Sequence, residues 1–160
     1  MAAAESDDAE APSRRPRDPN ARTWARRFAV QALYQAQVNP AAPTDLVAQF
    51  RADHDLSRAD VEYFTEAVTT VLRRAEALDL EYAALLDRST DELDPVERAI
   101  LRLATWELKD RLEVPWRVVI DQGVTLAHLY GASESHRYVN AVLDGLARRL
   151  RTAETTARRG

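Results

Sequence analysis

Between residues 21 and 151, apolar side chains recur every three to four positions, and the alternating β-branched runs that strands require are missing. That period predicts an all-α chain, with helices near 21–38, 44–53, 57–73, 75–87, 94–111, 115–130 and 133–151. Asn39-Pro40 and Pro43 punctuate the first gap, and Ser57 is placed to cap the third helix. No Pro or Gly separates the third helix from the fourth, so one long helix is an alternative there.

Helix 94–111 is patterned as a central one. Arg98, Arg102, Thr105 and Lys109 form a polar stripe only about 60° wide at 100° per residue. Val96, Ala99, Ile100, Leu101, Leu103, Ala104, Trp106 and Leu108 cover most of the remainder. Its opening, Asp94-Pro95-Val96-Glu97, supplies an Asp N-cap, a Pro at the first helical position and a Glu able to reach back. Glu97 and Glu107 both fall inside the apolar arc. The spacing leaves two readings of Glu97: the capping box itself, or a carboxylate at a partner interface.

In the next helix Pro115 suits the first turn and Gly131 the left-handed position that ends one. Gly123, on the same face as Val119, Ile120, Leu126, Ala127 and Tyr130, lets a neighbouring helix pack close. The last helix has a core stripe of Val139, Val142, Leu143, Leu146 and Leu150. Glu134, Tyr138, Ala141 and Gly145 lie on its flank, where the small residues should leave the Tyr138 ring uncovered. An ordinary boundary aromatic fits the same pattern.

The first helix buries Phe28, Ala29, Ala32, Leu33 and Ala36, leaving Arg27 and Tyr34 on one exposed stripe and Arg22 and Arg26 on a second. Arginine forks onto phosphate and an exposed tyrosine ring stacks on an unpaired base, a combination suited to single-stranded RNA. A solvated, Arg-rich helix start accounts for the same residues.

Composition narrows the classes. A chain of 160 residues is one domain, here 21–151, between unstructured tails at 1–20 and 152–160. No apolar run approaches the roughly 18 residues of a membrane span, and the acidic, Pro-containing start has no signal-peptide core, so a soluble cytoplasmic protein is expected. With no Cys, disulfides, thiolate metal sites and a cysteine nucleophile are excluded, and His54, His128 and His136 have no ligand spacing, so no metal is expected. Gly-rich phosphate loops, Gly-x-Ser-x-Gly and His-Glu-x-x-His are absent; no cofactor and no catalysis are expected. Asp53/Asp55 and Asp91/Asp94 read as turns and caps, and His136 as a structural hydrogen-bonding residue.

The net charge of -4 argues against non-specific coating of polyanions, and 21 Arg against one Lys follows GC-rich codon usage. Its distribution says more. Residues 14–27 carry six Arg and one acid, 39–97 carry 14 acids and five Arg, and 132–160 carry six Arg and three acids. Two basic ends flank an acidic middle, as for a protein with two oppositely charged partners.

Three ordered blocks carry a resemblance. Arg26-Arg27-Phe28-Ala29-Val30-Gln31-Ala32-Leu33-Tyr34 is the first; Val96-Glu97-Arg98-Ala99-Ile100-Leu101-Arg102 with Glu107-Leu108 is the second. Val114-Pro115, Ile120-Asp121, Ala127, Gly131 and Ser135-His136-Arg137-Tyr138-Val139-Asn140 with Val142-Leu143-Asp144 complete it. Over about residues 21–151 the chain resembles the NusB family of bacterial transcription antitermination factors. The resemblance implies seven helices in two small bundles packed across each other. It implies pairing with NusE, a small-subunit ribosomal protein, and binding to the boxA element of ribosomal RNA leaders. RNA polymerase, NusA and NusG complete the implied assembly, which suppresses termination.

By position, Arg22, Arg26, Tyr34, Glu134, Arg137 and Tyr138 match the family's RNA-contacting surface, to which the helix pattern adds Arg27. Asp91 and Glu97 match its NusE-facing acidic surface. The family often has Phe at the place of Tyr138 and Asp at that of Glu134, and basic residues where this chain has Thr23 and Trp24. A similar helical domain begins some ribosomal RNA cytosine methyltransferases, which supplies the alternative assignment; a purely structural adaptor is a third. The sequence leaves open whether the free protein is a monomer or a homodimer.

Overall fold

A computed structural model describes residues 18–157. Among them are eight α-helices and no strand: α1 (Ala21–Val38), α2 (Pro43–Asp53), α3 (Val61–Arg73), α4 (Ala75–Ala83), α5 (Pro95–Asp110), α6 (Trp116–Tyr130), α7 (Ser135–Leu150) and α8 (Thr152–Ala157). A single 3-10 turn, Thr90–Glu92, precedes α5. The all-α expectation holds, with one helix more than the seven the pattern gave. Most of the expected N-terminal tail, and residues 158–160 of the C-terminal one, lie outside the described residues. Residues 152–157, expected as tail, form α8 instead.

Helices α1, α2 and α3 pack as one group, and α5, α6 and α7 as another, with α4 laid on α5. α5 joins the groups, since it contacts α1, α3, α4, α6 and α7. Trp106 is fully buried along its length, as are Ile100, Leu101, Leu103 and Leu108. The basic helices α1 and α7 are not a packed pair; each lies instead against α5 and α6.

The helix starts follow capping chemistry. Asp94 accepts hydrogen bonds from the Val96 and Glu97 amides, with Pro95 at the first position, as the sequence indicates. At α3 the cap is Asp60, not Ser57. The Ser57 amide donates to Asp55 Oδ1 in a local turn, the Asp60 amide donates to the Ala21 carbonyl, and the Asp60 carboxylate accepts from the Tyr63 amide. The chain turns at Arg74 because α3 must face α1 while α4 faces α5, so 61–83 is two helices.

The α6–α7 contact is the closest kind. A Cβ on Gly123 would meet Leu143 Cδ1 at 2.8 Å, which is why glycine stands there. Gly131 is also required by space rather than by handedness. Its backbone is extended (φ -94°, ψ 178°), and a Cβ would meet the Ala127 carbonyl oxygen and Ser135 Cβ at 2.8 Å, so the left-handed cap expected there does not form.

Helix α8 is held by charge at two helix ends. The buried Arg151 guanidinium donates to the carbonyls of Leu108, Glu107 and Arg111 at 2.7, 3.2 and 3.2 Å, satisfying the C-terminus of α5. Glu154 holds Arg151 at 2.6 Å and accepts from the Trp116 amide, at the N-terminus of α6, at 3.2 Å.

Candidate nucleic-acid and partner interface

Of the guanidinium groups on α1, only part reaches solvent. Arg26 is 4% exposed and its Nε donates to Glu107 Oε2 at 2.9 Å. The Tyr63 hydroxyl donates to the same oxygen. Burial, then the Glu107 charge, pushes the Tyr63 hydroxyl well above its ordinary range and keeps it a donor. Arg26 is therefore a core charge, and its expected place on the RNA surface is corrected. Helical spacing set it beside Arg22, but Glu107 of α5 draws it inward.

Arg22 is half-exposed, 3.3 Å from Glu113, 3.8 Å from Asp60 and 4.3 Å over the Tyr63 ring. Arg27 lies 4.9 Å over the Trp24 ring. Tyr34 is 41% exposed and lines a recess of about 520 Å³ with Val30, Gln31, Val96 and Tyr130. Gln31 Nε2 donates to the Tyr130 hydroxyl at 3.1 Å across its mouth, tying α1 to the end of α6.

A second recess, of about 480 Å³, opens at the start of α7 and is lined by Arg88, Glu97, Glu134, Ser135, Arg137 and Tyr138. Val96 lines one recess and Glu97, the next residue, lines the other. The first turn of α5 is thus the wall between Tyr34 and Tyr138. Glu134 and Arg137 are exposed and paired at 3.3 Å. Both are free to turn toward a ligand, because such a surface pair contributes little.

Tyr138 is half-buried and covered, contrary to the uncovered ring the pattern suggested. Its hydroxyl donates to Asp87 Oδ1 at 3.1 Å, and the Arg88 guanidinium carbon lies 4.7 Å from its ring centroid. The small Gly145 does not expose the ring, because Leu85 packs over it, 3.2 Å from where a Cβ would stand. Burial, then the bond to Asp87, raises the Tyr138 hydroxyl above its ordinary pKa, while the bonds from Arg88 and Tyr138 lower that of Asp87. Sequence reasoning passed over Asp87-Arg88. The available signal was Ser89-Thr90-Asp91-Glu92, whose capping box fixes the chain just beyond it.

The two acids expected to face a partner differ. Asp91 is 88% exposed, with Arg98 at 3.4 Å. Glu97 is 8% exposed, and its Oε2 accepts from Ser135 Oγ at 2.7 Å, while Ser135 Oγ accepts from the Ala132 amide. Its carboxylate ties the start of α5 to the start of α7 rather than closing a capping box. His136 stacks on His128 with centroids 4.1 Å apart, and its Nδ1 has no hydrogen-bond partner among the described residues. No group of three or more metal-ligating side chains occurs among the described residues, and no helix there is long and apolar enough to cross a membrane.

The NusB family model matches residues 23–148. A transcription antitermination protein NusB from Alcanivorax borkumensis is 51% identical over 144 residues, covering 90% of this chain and 96% of that protein. One from Marinomonas sp. is 43% identical over 159 residues, covering 96% and 91%. A solved structure of T. maritima NusB superposes with a TM-score of 0.69 at 27% identity, over 83% of this chain and 93% of that one. With the family's pattern spanning most of the sequence and its fold spanning most of the structure, the chain belongs to the NusB family, whose members are transcription antitermination proteins and not enzymes.

Proposed function

We propose that this protein binds the boxA element of nascent ribosomal RNA leaders as a heterodimer with NusE, and that the pair joins RNA polymerase, NusA and NusG in the cytoplasm to suppress termination. One observation carries the RNA part: two tyrosines, Tyr34 and Tyr138, line adjacent recesses on either side of a single helical turn. Arg137 in the second recess and Arg22 and Arg27 nearer the start of α1 are the phosphate-pairing groups, and Glu134 accepts from base or ribose donors. Asp91 and the other acids around the 3-10 turn offer a basic ribosomal protein a complementary surface.

The test is a titration of boxA RNA into the full chain, with and without NusE, alongside Tyr138→Ala and Tyr138→Phe. Removing the ring should cost on the order of 1–3 kcal/mol of binding, whereas Phe keeps the stacking face. RNA affinity that NusE leaves unchanged would remove the heterodimer from this reading. Equal losses in the Ala and Phe variants would make Tyr138 a hydroxyl contact. Light scattering of the free chain reports whether a homodimer competes with NusE.

A further inference from the structure

The Asp87-Arg88 dipeptide occupies Tyr138 from two directions, the carboxylate on the hydroxyl and the guanidinium on the ring. Arg88 is held there by little else. Its acid partner is its own neighbour, with Nε 2.7 Å from Asp87 Oδ1 and one terminal nitrogen 3.2 Å from Oδ2, and both side chains are substantially exposed. The backbone on either side is fixed: Leu85 packs over Gly145, and the Ser89 amide donates to Glu92 Oε1 at 3.0 Å. A mobile cation is therefore mounted on a stationary chain, directly over the side chain that the RNA-binding reading makes a stacking platform.

The spacing decides what happens when a base arrives. A base inserted between ring and guanidinium needs two van der Waals contacts, or about 7 Å between its neighbours. The 4.7 Å separation leaves no room, so on that face a base replaces Arg88 and does not join it. The exchange runs downhill, because stacking on an aromatic ring is stronger than an exposed cation–π contact, and the exposed pair with Asp87 holds Arg88 weakly. The displaced guanidinium stays at the mouth of the recess, where the strand's own phosphates flank the stacked base. Phosphate is the group that a planar guanidinium pairs with best.

We propose that Arg88 is a further RNA-contacting residue, which covers the Tyr138 ring in the free protein and passes to a backbone phosphate when a base takes its place. This rests on the reading of Tyr138 as a stacking platform. Arg88 then has two opposed effects on affinity, a salt-independent cost of uncovering the ring and a salt-dependent gain at the phosphate.

Titration of boxA RNA into the full chain with NusE, across a series of salt concentrations, separates the two. Arg88→Ala should bind more weakly than the unaltered chain at low salt, with the slope of log K against log salt flatter by roughly 0.7. The two lines should meet and then cross as salt rises, Arg88→Ala binding more tightly at high salt because its ring is already uncovered. Lines that only converge would make Arg88 a phosphate contact that does not cover the ring and overturn the exchange. Arg88→Lys retains the charge and should keep the slope. In the free protein carrying ¹³C-labelled tyrosine, the Tyr138 ring resonances should shift in Arg88→Ala, and RNA should move them further. Parallel lines for Arg88→Ala and the unaltered chain, with a clear loss in Tyr138→Ala, overturn the exchange while leaving the platform intact. A Tyr138→Ala chain that binds as well as the unaltered one overturns the platform itself, and with it the exchange. A change in melting temperature that accounts for the whole Arg88→Ala defect makes Arg88 structural and also overturns the proposal.

Discussion

A guanidinium at the start of α1 has one of two fates, set by what faces it. Arg22 ends among surface acids and Arg26 ends against Glu107 in the core. Replacing Arg26 with Ala leaves the Glu107 carboxylate buried with only the Tyr63 hydroxyl, and stability in urea unfolding should fall by about 3–5 kcal/mol. The double variant Arg26→Met/Glu107→Leu should recover most of that loss, since an apolar pair of similar size removes both buried charges. A single Arg26→Ala chain as stable as the original would mean that the pair is solvated. The sequence contained both halves of this contact: the Arg-rich stripe on α1 and an acid at position 107 inside an apolar arc. A helical wheel describes each helix alone, so it could not show that residues 81 positions apart meet. The same limit concealed Arg88, whose role depends on a ring 50 residues later.

The element scale shows where periodicity succeeds and where it stops. The α5 stripe of Arg98, Arg102 and Lys109 is polar and pairs with α4: Arg98 and Arg102 converge on Asp79 at 3.0 and 2.8 Å, and the more exposed Lys109 meets Glu81 at 2.7 Å. Burial alone would raise the Asp79 carboxyl, but bonds from Arg102, Tyr82 and Arg98 outweigh it and bring its pKa below the ordinary 3.8. The unfolded chain therefore binds this proton more tightly than the folded one. Stability from Asp79 should be complete above about pH 4 and drain away as pH falls through the folded-state value. Acid melts of Asp79→Asn should start lower at neutral pH and lose less on acidification; parallel curves for the two proteins would show that Asp79 titrates normally. Five of the eight helices were legible within two residues, because each has a long apolar face. The start of α3 was not, since Ser57 and Asp60 are both competent caps and only the bond from the Asp60 amide to Ala21 selects between them. Helix α8 was invisible because Thr152–Ala157 has no apolar period. It exists through Arg151 and Glu154, and Arg151→Ala should lower stability by about 2–3 kcal/mol, measured by thermal or urea unfolding. Truncation before Arg151 should do at least as much.

For the whole molecule, the charge runs read from the sequence do not merge into one basic face, because α5 and α6 stand between α1 and α7. What lies between the two basic helices is instead the start of α5, with Glu97 bonded to Ser135. Glu97→Gln keeps an acceptor for Ser135 and loses the charge. The melting temperature should hold while affinity for NusE falls; a lower melting temperature with unchanged affinity would make Glu97 a purely internal tie. The clasp at Arg151 and Glu154 has a consequence for the order in which the molecule can be made. The residues that close the ends of α5 and α6 are synthesised after both helices, so a nascent chain holds these helices open-ended until residue 154 clears the ribosome. Ribosome-arrested chains carrying a C-terminal linker long enough to fill the exit tunnel should remain protease-sensitive around residues 107–116 when they stop before Arg151, and should not when they include Glu154, making the last helix the step that completes the fold.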